Sequence, residues 1–95
     1  MISEVQKKII LEHTNRIKPL RVGVFGSYSR GDNRVGSDLD ILIHLDYSQK
    51  ISLLTLASIQ ADLAEALGMK VDLVTEASLS PYLRPYIEKD VQYIL

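Results

Sequence analysis

Apolar and polar positions set the elements of this chain. Ile2, Val5, Ile9, His13 and Ile17 recur at helical spacing between Lys7, Lys8, Glu12 and Arg16, which predicts an amphipathic helix over 3–18. Ser3 is its expected N-cap and Pro19 its stop. Residues 20–25 then alternate, with Leu20, Val22 and Val24 on one side and Arg21, Gly23 and Phe25 on the other, the pattern of a strand that Gly26 ends. Ser27 to Gly31 reads as a short helix capped by Ser27, and the following DNRVGS is turn chemistry. A second alternation runs from Asp38 to Leu45. It sets Leu39, Ile41, Ile43 and Leu45 on one face and Asp38, Asp40, Leu42 and His44 on the other.

After a polar loop at 46–50, Ser52 caps a second amphipathic helix whose expected buried stripe is Leu53, Leu56, Ala57, Leu63, Ala64 and Leu67, with Gly68 as its stop. Lys70 to Thr75 forms a short strand with Val71 and Leu73 on one face and Asp72 on the other. Strand, helix and strand make a crossover, so the second and third strands should be parallel; the first and second are joined too briefly for that and should be antiparallel. Residues 76–95 contain Pro81, Pro85 and three tyrosines, and are expected to form one or two short helices packed back on the sheet. The fold class is α/β (α+β): a single domain over 1–95, with a small mixed sheet of three or more strands flanked by helices.

Composition narrows the setting. At 95 residues, 46% hydrophobic and 24% charged, the chain suits one folded core and not long disorder. Without cysteine there is no disulfide framework and no thiolate metal site, so a cytoplasmic location is expected. No run approaches membrane-spanning length and the first residues lack a signal-peptide core, so no membrane association is expected. The net charge of -1 conceals a split, because residues 1–34 carry seven Lys or Arg against three acids and residues 35–95 carry four against nine. Either these are solvated helix faces, or a basic third lies beside an acidic, metal-binding part. The basic excess of a dedicated nucleic-acid binder is missing, and no direct DNA binding is expected.

Asp38 and Asp40 lie on one strand face about two rises, or roughly 6.5 Å, apart. A third strand beside the second would point Asp72 the same way. Three carboxylates on one surface repel unless a cation neutralises them, and hard oxygen donors suit Mg²⁺ or Mn²⁺. Two such ions could clamp the attacking and leaving oxygens of a phosphoryl displacement, with Asp38 and Asp40 bridging them and Asp72 on the ion that activates the nucleophile. Gly26 allows close backbone approach, Ser27 offers a hydroxyl to phosphate, and Arg30 adds positive charge. Each part alone has a bland reading, as a strand-end Asp-x-Asp, a Gly-Ser turn or an edge-strand Asp. Their order and shared face point to a metal site. His13 and His44 lack ligand spacing and read as structural. Tyr28 reads as a solvent-facing loop residue, and Tyr82, Tyr86 and Tyr93 either dock a partner or finish the core.

The stretch GSYSRGDNRVGSDLD resembles the G-S-x(10)-D-x-D signature of the polymerase-beta-like nucleotidyltransferase superfamily, and KVDLVT resembles the strand bearing its third carboxylate. The resemblance covers nearly the whole chain and is nearest to the minimal nucleotidyltransferases (MNT), antitoxin partners of HEPN-domain toxins. No core position departs from the motif. It implies AMP transfer from ATP to a hydroxyl, with Gly26, Ser27 and Arg30 on the triphosphate and Asp38, Asp40 and Asp72 on two Mg²⁺ ions. The implied acceptor is a tyrosine of a cognate HEPN ribonuclease. Two alternatives stand beside it: a non-catalytic antitoxin that neutralises its partner by complex formation, and a nucleotidyltransferase acting on a small molecule or RNA end. About twenty residues follow the third strand, so the acceptor is expected to bring its own binding surface. A homo- or hetero-oligomer is left open.

Overall fold

Helix α1 (Glu4–Thr14) starts at its expected cap. Ser3 Oγ accepts the Gln6 amide at 3.1 Å, and the Gln6 side chain accepts the Ser3 amide at 2.8 Å. The computed structural model, which describes residues 2–95, ends this α-helix before position 18. Its last turn tightens into a 3₁₀ turn over Asn15–Ile17, because Pro19 bars Lys18 from continuing the helix. The buried line is also rotated by one position: Ile10, Thr14 and Ile17 are buried while Val5 is 69% exposed. Thr14 can join it because its hydroxyl donates to the Ile10 carbonyl at 2.8 Å, leaving no polar atom unsatisfied. His13 is structural as expected, its ring donating to the Ile9 carbonyl at 2.8 Å.

Four strands make one sheet in the order β3-β2-β1-β4, from β1 (Arg21–Phe25), β2 (Leu39–His44), β3 (Val71–Thr75) and β4 (Gln92–Tyr93). As the connection lengths predict, β1 and β2 are antiparallel and β2 and β3 parallel. Leu20 falls outside β1 and is exposed. Val22, Val24, Leu39, Ile41, Ile43 and Val71 cover one sheet face and meet Ile10, Ile17, Ile59 and Leu63 in a single core. Those last two belong to α3 (Leu53–Leu67), capped by Ser52 Oγ on the Thr55 amide at 3.1 Å and ended at Gly68. The expected stripe on α3 is only partly right, since Leu53 is 83% exposed, Ala57 is exposed, and Ile59 is central. A helix this apolar has several candidate stripes, and contact with the sheet selects one.

Beyond β3 the chain forms a 3₁₀ turn at Glu76–Ser78 and a helix α4 (Arg84–Asp90), then the unexpected β4. The signal for β4 lies in β1. A Cβ on Gly23 would stand 2.5 Å from Val91 Cγ2 and 3.1 Å from the Tyr93 ring, so the bare backbone of Gly23 makes room for the returning chain. No described helix is long and apolar enough to cross a membrane.

Candidate active site

Between β1 and β2 lies α2 (Ser27–Arg30), and its cap is Gly26, not the expected Ser27. Gly26 has φ 74° and ψ -151°, a backbone region almost reserved for glycine. Its carbonyl accepts the Ser29 and Arg30 amides, both at 3.1 Å. A Cβ there would sit 2.3 Å from Asp40 Oδ2, so the glycine backbone lies directly against the Asp40 carboxylate. Tyr28 is half-buried against the core, which corrects its reading as a solvent-facing residue. Its place in a helix turn packed on the sheet, and not in an open loop, is the cause.

The sheet register brings two of the carboxylates, Asp40 and Asp72, to one face. Asp40 pairs with Phe25 on one side and lies level with Asp72 on the other, on neighbouring strands about 4.8 Å apart. Asp38 sits one residue ahead of β2, with Lys70 Nζ 4.0 Å from its Oδ2. Burial raises the pKa of the Asp40 carboxyl above its ordinary value, and the negative charges of Asp72 and Asp38 raise it further, against an opposing pull from Arg30. Asp40 is thus the electrostatic centre of a group of like charges. Among the described residues no group of three or more His, Cys, Asp or Glu side chains is placed to hold a metal ion. The register sets two of the expected three, Asp40 and Asp72, level with each other. That donor set fits Mg²⁺, which keeps several waters and takes substrate phosphates beside one or two carboxylates.

Arg30 stands where the sequence places it, at the end of α2, but already partnered. Its Nε donates to Asp32 Oδ2 at 3.2 Å and its Nη1 to Asp90 Oδ2 at 2.8 Å. Asp90 has no sequence signal linking it to Arg30, which is sixty positions away. Phe25 was likewise legible only as a strand residue, yet its register partner is Asp40.

At the far end of the same sheet face lies a second polar group. His44 Nδ1 approaches Glu76 Oε2 at 2.9 Å and His44 Nε2 approaches the Tyr93 hydroxyl at 2.8 Å. The Arg21 guanidinium lies 3.3 Å from the centre of the Tyr93 ring. His44 is structural, as expected, and Tyr93 completes the sheet, while Tyr82 and Tyr86 are 86% and 71% exposed. Surface cavities of about 340, 260 and 240 Å³ lie away from the carboxylates, beside α1, β4 and α3.

Comparison with known proteins supplies the family. The family model of the nucleotidyltransferase domain matches residues 5–94. A candidate protein adenylyltransferase of Methanocaldococcus jannaschii is 44% identical over 89 residues, 93% of this chain and 86% of that protein. The protein adenylyltransferase MntA of Thermococcus cleftensis is 38% identical over 73 residues, 77% of this chain and 72% of that one. Among solved structures, a toxin-antitoxin crystal structure with AMP-PNP superposes with a TM-score of 0.82 at 25% identity, covering 94% of this chain and 72% of that chain. A mixed sheet with its Gly-Ser turn over the strand-borne aspartates, matched from residue 5 to residue 94, places this chain in the nucleotidyltransferase domain family.

Proposed function

We propose that this nucleotidyltransferase is a protein adenylyltransferase that moves AMP from ATP to a tyrosine hydroxyl of a HEPN-domain toxin and thereby acts as its antitoxin. The observation that carries the reading is the placement of Asp40 level with Asp72 and under the Gly26 backbone, with Asp38 alongside. Relatives named protein adenylyltransferase and a toxin-antitoxin neighbour bound to an ATP analogue support it.

In this reading Gly26, Ser27 and Arg30 hold the triphosphate, and Asp38, Asp40 and Asp72 hold two Mg²⁺ ions or their Mn²⁺ equivalents. Bound there, the ions supply charge neutralisation to the phosphates. The acceptor oxygen forms its bond to the α-phosphorus as the bond from that phosphorus to the bridging oxygen of the β-phosphate breaks. Pyrophosphate leaves with the electron pair, and Asp72 takes the hydroxyl proton. Gly26 keeps the phosphate-binding turn close to Asp40 by having no side chain to hold them apart.

The test incubates purified chain and partner with ATP and Mg²⁺ and reads intact masses. AMP-sized increments on the partner, lost on Tyr→Phe substitution of its acceptor, are expected; folded proteins that show no increment would end the reading.

A further inference from the structure

The turn that follows β1 is stitched to the end of α4 at two points and to β4 at a third. Arg30 Nη1 donates to the Asp90 carboxylate, Ser29 Oγ donates to the Asp90 carbonyl, and Gln92 Nε2 donates to the Ser29 carbonyl at 3.1 Å. The arginine is half-exposed at 48%, and Asp90 is the more buried partner at 27%. Left alone, a long arginine at the surface would sample many rotamers. Held at Nη1 by Asp90 and at Nε by Asp32, the planar guanidinium keeps both Nη2 donors and one Nη1 donor for another acceptor.

We propose that Asp90 is a positioning residue of the nucleotide site: it holds the Arg30 guanidinium in place at the end of α2, so that the remaining donors meet the triphosphate. The proposal rests on the reading of Arg30 as a triphosphate ligand. An arm ordered before the ligand arrives loses less freedom on binding, and affinity rises accordingly. Asp90 also carries a negative charge that would repel phosphate. Positioning and repulsion predict opposite signs when that charge is removed.

Equilibrium binding of ATP and of AMP, each with Mg²⁺, to the wild type, Asp90→Asn, Arg30→Ala and the double variant separates the cases. Arg30→Ala is expected to weaken ATP by about tenfold or more, as for a lost hydrogen bond to a charged group, with AMP nearly unchanged. Asp90→Asn is expected to weaken ATP by about threefold to fivefold, the scale of a partly exposed ion pair. In that variant KM for ATP rises by the same factor, kcat holds, and the double variant binds ATP no more weakly than Arg30→Ala alone. Unchanged or tighter ATP binding by Asp90→Asn overturns the proposal, and so does a double variant whose loss is the product of the two single losses. Equal loss of ATP and AMP, with a lowered melting temperature, overturns it in favour of plain structural support. Normal ATP binding by Arg30→Ala removes the triphosphate role of Arg30 itself, and the positioning role with it.

Discussion

Asp40 and His44 lie on the same strand, on the same face of the sheet, four residues apart, yet their surroundings are opposite in kind. Around His44 each polar group has a complement. With the proton on Nδ1, the ring donates to Glu76 and accepts from the Tyr93 hydroxyl, while the Arg21 charge rests on the Tyr93 ring. Around Asp40 burial raises its pKa, and the like charges of Asp72 and Asp38 raise it further against the pull of Arg30. A matched network rigidifies a fold, whereas repulsion kept within a folded domain needs another explanation, and a ligand of opposite charge provides one. On the proposed function, the His44 end serves stability and the Asp40 end serves chemistry.

The largest effect that would break this division is on activity. Joint Asp38→Asn and Asp40→Asn substitution is expected to lower AMP transfer by roughly 10³-fold while leaving the melting temperature unchanged or raised, because it relieves repulsion. A strongly destabilised double variant would instead make the aspartates structural. If the chain neutralises its partner through catalysis, the same variant also fails to protect cells from the toxin.

Next in size is Gly26→Ala, which touches both properties. The positive φ with extended ψ costs a side chain about 1–3 kcal/mol, and the new methyl must displace the Asp40 carboxylate. We expect a lower melting temperature together with a loss of transfer of about 10²-fold, since small misplacements at a reacting centre carry penalties of that order. Normal transfer by this variant would show that contact between the turn and Asp40 is not needed.

At the other end Tyr93→Phe removes one hydrogen bond to His44 and keeps the ring under Arg21. The expected cost is about 1 kcal/mol, seen as a fall in melting temperature of roughly 4–8 °C for a domain of this size. Transfer by the folded variant should stay near that of the wild type. A much larger loss of transfer would mean that the two ends act as one site.

How much of this was legible in the sequence follows from distance along the chain. The shared face of Asp40 and Asp72 could be read, because period-two alternation sets the faces and a single crossover helix sets the pairing. The partners of His44 and Arg30 could not: Tyr93 and Asp90 lie 49 and 60 positions away on a segment that reads as short helices. A strand of two residues has no periodicity to detect, and only the bare backbone of Gly23 records where it packs. Thr14 went unnamed in the expected stripe for a local reason, since a hydroxyl bonded to its own helix can be buried like an apolar group.

The smallest effect sharpens the comparison through pH. Asp40 has a folded pKa above its ordinary 3.8, so the folded state holds that proton more tightly than the unfolded chain does. Its contribution is therefore fully favourable below the ordinary value and is lost as pH rises through the raised one. Asp46 acts with the opposite sign, because hydrogen bonds from Ser48 lower its pKa, and a single stability curve would mix the two. Subtracting the metal-free curve of Asp40→Asn from that of the wild type cancels Asp46 and isolates Asp40. The difference should fall as pH rises through the acid range and then level off, and Mg²⁺ should reduce the fall by neutralising the ionised carboxylate. A difference that rises instead would mean that Asp40 gains a favourable partner on folding, and the contrast with His44 would disappear.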